Sequence, residues 1–323
     1  MSLYNQQQFV DEAIQSLLDQ SRPPDQIVVV DDGSTDDGPL RVEQYESHGV
    51  KLLRLKRQGV SRVLNRAVEE LTTDFIAIQA CDDASEPERL EWQAEILQRD
   101  NPPAVFSLPH VVNEDSVLMP RSFAAEFFHD LQNEDDSLKR LFTTGNWLCA
   151  SSALMPRQNF YTAGQFHPAL LHLQDFLLWI RLAHLGELHV INEPLVRYRR
   201  NSRGGNLSSP DNDARMRAEM QFVYNVFFDG CDVGRIREAF GGVEAKADLI
   251  DLYLKHPDYL VKQAGLDLMW RATDLSDIEA LDQSLLPEPF DFFEKSFESD
   301  IDRQQVVSNI YARLNGRQPW HLP

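Results

Sequence analysis

The sequence predicts an α/β fold, a mostly parallel sheet flanked by helices and followed by an all-helical C-terminal region. Three observations predict it. Short runs such as Gln26-Ile-Val-Val-Val are apolar without interruption, as in strands buried on both faces. Stretches of helical period separate those runs, which calls for right-handed βαβ crossovers. Beyond Gly204 no strand-like run remains and only helical periods follow.

In order, Phe9-Val10, Ala13-Ile14 and Leu17-Leu18 recur at helical spacing, and Pro23-Pro24 ends that helix. The Gln26 run is the next strand, Lys51 to Leu55 a second, and Val60 to Leu71 an amphipathic helix. Phe75 to Ile78 is a strand; Pro87 suits the first turn of a helix through Leu97, and Val105 to Val112 is a strand again. Leu148 to Met155 is strand-like, Leu170 to Leu185 reads as a buried helix, and Leu188 to Tyr198 is strand-like. A Gly/Ser/Asn-rich basic loop, Arg199 to Pro210, precedes helical stretches at Ala214–Phe228, Ile236–Phe240, Ala247–Leu254, Tyr259–Thr273 and Phe290–Leu314. Such a fold normally opens on a strand, yet this chain opens on a loop and helix, so the first strand is expected to be missing.

Composition limits the function. The 323 residues carry a net charge of −20, an acidity that repels phosphate backbones and argues against nucleic acid. A protein this acidic needs a cation wherever it handles a phosphate. Cys81, Cys149 and Cys231 are scattered with no CxxC, which excludes a cysteine zinc site and fits a reducing compartment. Met1 to Gln8 has no basic n-region and no apolar h-region, and the apolar stretch Ala169–Leu185 is broken by His172, Gln174, Asp175 and Arg181. The expectation is a soluble cytoplasmic protein without a membrane span, with peripheral work at a membrane left open.

Ligands of open parallel sheets bind beyond the carboxyl ends of strands. Two acidic pairs fall there: Asp31-Asp32 after Val28-Val-Val, and Asp82-Asp83 after the Phe75 strand. Either alone reads as turn or cap residues. Together they suit Mg²⁺ or Mn²⁺, hard cations that bind few carboxylates when they also hold substrate phosphates. No GxGxxG, P-loop, GxSxG or Cys-His arrangement supports redox, kinase or hydrolase chemistry.

Tyr4-Asn-Gln-Gln-Gln-Phe, Ile27-Val-Val-Val-Asp-Asp-Gly-Ser-Thr-Asp, Gly59, Asn65-Arg66-Ala67 and Asp74-Phe-Ile-Ala-Ile-Gln-Ala-Cys-Asp-Asp resemble, in that order, the family 2 glycosyltransferases of the GT-A fold. Weaker similarity resumes at Asp175-Phe-Leu-Leu-Trp and Leu195-Val-Arg-Tyr-Arg-Arg, covering roughly residues 1–205 and leaving 206–323 as a helical region without a motif. The resemblance implies that Tyr4 packs on the nucleotide base, Asp32 hydrogen-bonds it, and Asp82-Asp83 is the metal-binding acidic motif with Asp83 on the metal. It implies that Asp175 is the catalytic base of an inverting transfer from a nucleotide-diphosphate sugar, a UDP-sugar, to a hydroxyl of a glycan, lipid-linked or protein acceptor. Gln174 stands where an acidic residue commonly precedes the base.

Other readings remain open at this point. Asp175 also reads as the N-cap of its helix. Arg197, Arg199, Arg200 and Arg203 read as an exposed basic loop or as clamps on the diphosphate, and Arg62 is the basic residue best placed to reach a phosphate. His110, His167 and His172 lack metal spacing and read as structural. An inactive nucleotide-sugar-binding scaffold and a sugar-1-phosphate nucleotidyltransferase are the competing functions, and a homo-oligomer is one use for the C-terminal helices.

Overall fold

The computed structural model describes residues 1–128, 136–200, 213–243 and 246–270. The chain forms two compact units, Met1–Gly241 and Gly242–Pro323. The first unit begins with β1 (Ser2–Leu3), α1 (Val10–Leu18), β2 (Ile27–Asp31), α2 (Gly38–Glu43), β3 (Val50–Arg54) and α3 (Val60–Glu69). These strands form one parallel sheet in the order β1-β2-β3. The opening strand is therefore present, a correction to the sequence reading. Ser2 pairs with Val30 and Leu3 with Asp31, and the Met1 ammonium donates to the Val28 carbonyl at 2.7 Å. Two residues are too few to show period 2; the free edge of β2 makes them a strand.

Every residue of β2 is buried, and its side chains alternate between two cores. Ile27 and Val29 pack with Val10, Ile14 and Leu17 of α1, while Val28 and Val30 pack with Val63 and Ala67 of α3. That sandwich accounts for the unbroken β-branched run and fixes where Asp31-Asp32 leave the sheet.

The chain continues through β4 (Phe75–Ala77), β5 (Ala84–Ser85), α4 (Arg89–Asp100), β6 (Val105–Val112), α5 (Ser137–Thr144), β7 (Leu154–Pro156), α6 (Arg157–Thr162), α7 (Gln174–Ala183) and β8 (His189–Arg199). These strands form a second sheet, β4-β7-β6-β8-β5, in which only β6 and β8 run parallel. The parallel plan thus holds in the first sheet, and the second is mixed because β7 turns back between β4 and β6. A parallel bridge between Ser2 and Ala80 joins the two sheets. It brings the ends of β2 and β4, and with them both acidic pairs, to one region.

Helix α7 starts at Gln174, four residues after the expected Leu170, and buries Phe176 to Ile180 with Trp179 edge-on to Phe106 at 4.8 Å. Two more helices, α8 (Asp213–Asn225) and α9 (Val233–Phe240), belong to the same body. The Phe142 ring of α5 meets Phe227 at 5.2 Å and Phe240 at 5.6 Å. The first unit extends to Gly241, and this aromatic cluster draws on Phe227, just past α8, and on Phe240 of α9. In the second unit, α10 (Lys246–Lys255) and α11 (Tyr259–Trp270) pack through Ile250, Leu254, Leu266 and Met269. The expected helix at 290–314 and the end of the one at Thr273 lie outside the described residues, as does Arg203. Among the described residues no helix is long and apolar enough to cross a membrane.

Candidate active site

Asp32 follows β2 and is buried. Its carboxylate accepts from the Gln58 N–H at 2.7 Å and the Gly59 N–H at 3.0 Å, immediately before α3. Gly33 is left-handed (φ 75°), and a Cβ there would stand 3.0 Å from the Arg57 nitrogen, so only glycine lets these loops meet. Tyr4 lies on the other side of Arg57. The Arg57 guanidinium sits 4.0 Å over the Tyr4 ring and donates to its hydroxyl. Tyr4 and Asp32 are thus brought together around the 57–59 loop. Arg57 covers one face of the Tyr4 ring, and sequence reading did not single it out, since its neighbours Lys56 and Arg54 look alike. Arg62 is exposed in the first turn of α3, with no hydrogen-bond or ion-pair partner among the described residues.

The loop after Tyr4 is stitched to the loop after Asp32. Asn5 is left-handed (φ 51°); its N–H donates to the Ser34 hydroxyl at 3.0 Å, and its side chain accepts from the Thr35 N–H at 2.8 Å. The Gln6 side chain lies beside the Asp82 carboxylate. The base-side loop and the second acidic pair therefore share one rim.

The members of that second pair differ. Asp83 is buried, and both its oxygens are engaged: one accepts from the Ser151 hydroxyl, the other from the Arg199 N–H at 2.8 Å. Burial first, and then the neighbouring Asp82 charge, push the Asp83 carboxyl up to about 8. Asp82 is only half-buried. Burial raises its carboxyl as well, while Arg199 and the Gln6 side chain pull it back toward ionisation. The two acids therefore differ in exposure, Asp83 being the one turned inward and Asp82 the one nearer the surface. Among the described residues no cluster of three His, Cys, Asp or Glu could hold a metal by itself. One hard carboxylate at Asp82 fits a cation whose other ligands are phosphate oxygens and water, the usual habit of Mg²⁺.

The basic residues of β8 are not free for phosphate. Arg197 pairs with Glu12 at 2.9 Å and Glu86 at 3.3 Å, and Arg200 pairs with Glu126. Arg199 is buried, and its guanidinium donates to the Asp82, Asn113 and Glu114 carbonyls, the Glu12 carboxylate and the Ser116 hydroxyl. In this structure these arginines are paired within the protein. Glu12 of α1 pairs with both Arg197 and Arg199, across sequence separations that no local pattern reveals.

Asp175 stands in the first turn of α7, half-buried. One oxygen accepts from the Phe176 N–H at 2.7 Å and the other from the Asn146 amide at 3.0 Å. Burial is the leading cause that pushes its carboxyl up to about 6, against the pull of those two hydrogen bonds. It is not the helix cap. Glu219 of α8 takes the N–H groups of Leu171, His172 and Leu173 just before the helix. The 146–151 stretch ties Asp175 to the acidic pair, Asn146 holding one and Ser151 the other. His167 packs on Phe222 at 5.2 Å and His184 on the Phe227 carbonyl at 2.8 Å, both as structural residues. A cavity of about 450 Å³ lies elsewhere, between β2 and β4, and none of the expected site residues lines it.

Comparison with known proteins assigns the class. A sequence model described as "Glycosyl transferase family 2" matches residues 1–156. The putative teichuronic acid biosynthesis glycosyltransferase TuaG of Bacillus subtilis (strain 168) is 26% identical over 205 residues, 61% of this chain and 75% of that protein. An uncharacterized glycosyltransferase of Rickettsia conorii is 25% identical over 205 residues, 63% of this chain but only 34% of its own length, so this chain spans about a third of that relative. Among solved structures, S. aureus TarS 1-349 in complex with UDP-GlcNAc superposes with a TM-score of 0.61 at 16% identity, covering 98% of this chain and 90% of that one. The mannosyltransferase PcManGT of Pyrobaculum calidifontis, in complex with GDP-Man and Mn²⁺, gives a TM-score of 0.51 at 18% identity, covering 88% and 75%. At these identities the solved structures establish the fold, that of the GT-A glycosyltransferases. Within it, residues 1–156, just under half of the chain, match the family 2 glycosyltransferases.

Proposed function

We propose that this glycosyltransferase moves a sugar from a UDP-sugar to a hydroxyl acceptor with inversion, Tyr4 and Asp32 receiving the base and Asp175 acting as general base. The observation that carries the reading is the 146–151 stretch, which ties the Asp175 carboxylate and the acidic pair to one segment. A carboxyl pushed up to about 6 is ionised at neutral pH yet basic enough to accept a proton from an attacking hydroxyl. Asn146 and the Phe176 N–H hold one carboxylate orientation, so the incoming hydroxyl is aligned as its proton leaves. We assign the metal-facing role to Asp82 in place of Asp83. A divalent cation, Mn²⁺ or Mg²⁺, would neutralise charge on the departing diphosphate when bound. The two domains are read as a transferase body and a second helical unit whose role lies with the acceptor or a partner.

The test is a thermal-shift screen of UDP and GDP with Mn²⁺ or EDTA, followed by nucleotide release from the matching sugar donors. A cation-dependent rise with UDP, together with turnover, is expected; a ligand at 100 times its Kd stabilises by about 2.7 kcal/mol. No shift with any nucleotide refutes the reading. A shift without turnover across acceptors would support an inactive binding protein.

A further inference from the structure

Helix α8 lies beyond the stretch that matches the family, and nothing in its sequence signals a site. It nevertheless sends Glu219 into the body, where the carboxylate is buried. One oxygen accepts from the Leu171 N–H at 3.0 Å; the other accepts from His172 at 2.8 Å and Leu173 at 3.1 Å. Three consecutive N–H groups at the entrance to α7 thus converge on one anion, the arrangement that a helix start favours. Leu173 has no side-chain cap of its own. The same segment is held from its other side, where the Ser61 hydroxyl of α3 donates to the Leu170 carbonyl at 2.7 Å. Asp175 follows Leu173 by two residues.

We propose that Glu219 is a positioning residue for Asp175: by gathering the 171–173 N–H groups it sets the first turn of α7, and with it the direction of the Asp175 carboxylate. The inference rests on the reading of Asp175 as the base. It gives a part of the chain beyond residue 205 a role in the transfer step without contact with either substrate. Ordinary helix stability does not require this device. The next residues of α7 are buried nearly all round, so packing holds the helix body, and what the carboxylate adds is the path of the backbone into its first turn.

Glu219→Gln removes the charge and keeps one oxygen for three donors. A displacement of about 1 Å at a reacting group costs up to 10²-fold, so kcat is expected to fall roughly 10- to 100-fold. The Kd for UDP, read by calorimetry, and the KM for the donor stay within about twofold, because the nucleotide side is held by other loops. Arg215→Ala is the control. Arg215 is half exposed, pairing with Glu219 at 2.8 Å and donating to the Ala169 carbonyl at 3.0 Å; its removal takes away none of the three N–H bonds, so kcat should stay near that of the parent. If Glu219→Gln does not fold, Glu219→Asp, which keeps the charge at shorter reach, serves for the same measurement. A kcat within threefold of the parent overturns the proposal, and so do equal losses in kcat and UDP affinity, which mark general damage. Asp175→Asn measured alongside separates the two readings. If that variant keeps turnover, the base assignment has failed; if it loses turnover while Glu219→Gln keeps it, only the positioning role has.

Discussion

Replacing Asp175 by Asn should make the protein slower and more stable at the same time. The two effects come from one cause, a carboxylate held ionised where burial opposes it. Raising the carboxyl from its ordinary 3.8 to about 6 costs the ionised folded state about 3 kcal/mol, an upper bound for a half-buried group. Asn carries no charge but offers one acceptor oxygen to the Phe176 and Asn146 donors in place of two, which returns about 1 kcal/mol. The net gain is about 2 kcal/mol at pH 7.5, or roughly 4–8 °C in Tm for a body of this size. The pH dependence gives the sign. Between 3.8 and 6 the folded state binds the proton more tightly than the unfolded chain, so the parent loses stability as pH rises through that window. The advantage of Asn therefore shrinks by about half or more at pH 5 and disappears once the carboxyl is protonated in both states. Transfer falls in the opposite sense, by about 10²–10⁴-fold, with UDP binding unchanged. Melting curves at pH 7.5 and 5, calorimetry with UDP and a nucleotide-release assay read all three. A variant less stable than the parent at pH 7.5, or one with unchanged turnover, would falsify the assignment.

Other outcomes follow from the same geometry. Asp82→Asn should abolish the cation-dependent part of the UDP thermal shift while Asp83→Asn retains it; the reverse order would return the metal-facing role to Asp83. Tyr4→Ala should weaken UDP by roughly tenfold or more, the worth of one stacked base, and an unchanged Kd in calorimetry would remove Tyr4 from the pocket. Gly33→Ala should lower stability by about 1–3 kcal/mol in urea melts, because its positive φ and the Arg57 nitrogen both oppose a side chain, and a neutral result would show that the two loops do not meet.

What the sequence made legible is what burial writes locally. The Ile27–Val30 run announced a strand with helices on both faces, and the structure packs its alternate side chains on α1 and α3. The strand-end acids were legible for the same reason, since the end of a buried run is where polar residues first appear. Orientation was not. Asp82 and Asp83 are identical in sequence terms, and only Ser151 and Arg199, 68 and 116 residues away, decide which one is turned inward. The sequence starts helix α7 four residues early because Leu170, Leu171 and Leu173 are apolar enough to continue it; the carboxylate that ends their freedom comes from Glu219, 46 residues on from Leu173. The basic tract of β8 looked like an anion site because its counter-charges, Glu12 of α1 and the distant Glu86 and Glu126, lie far away in sequence.

Arg199 carries a consequence for how the protein comes together. A guanidinium has five N–H donors, and here they go to five acceptors on the Asp82 loop, the 113–116 turn and α1. The stretch that matches the family, residues 1–156, holds all of those acceptors but not the arginine. During synthesis the two sheets can start to assemble while the Asp82 loop still lacks its keystone, and the loop takes its final form only when β8 docks beside β6. A fragment ending before β8 should therefore keep much of its helix and strand content by circular dichroism and still bind no nucleotide in a cation-dependent way. Lysine in place of Arg199 would bring the charge but only three donors on one atom, too few and too concentrated to reach three chain segments at once.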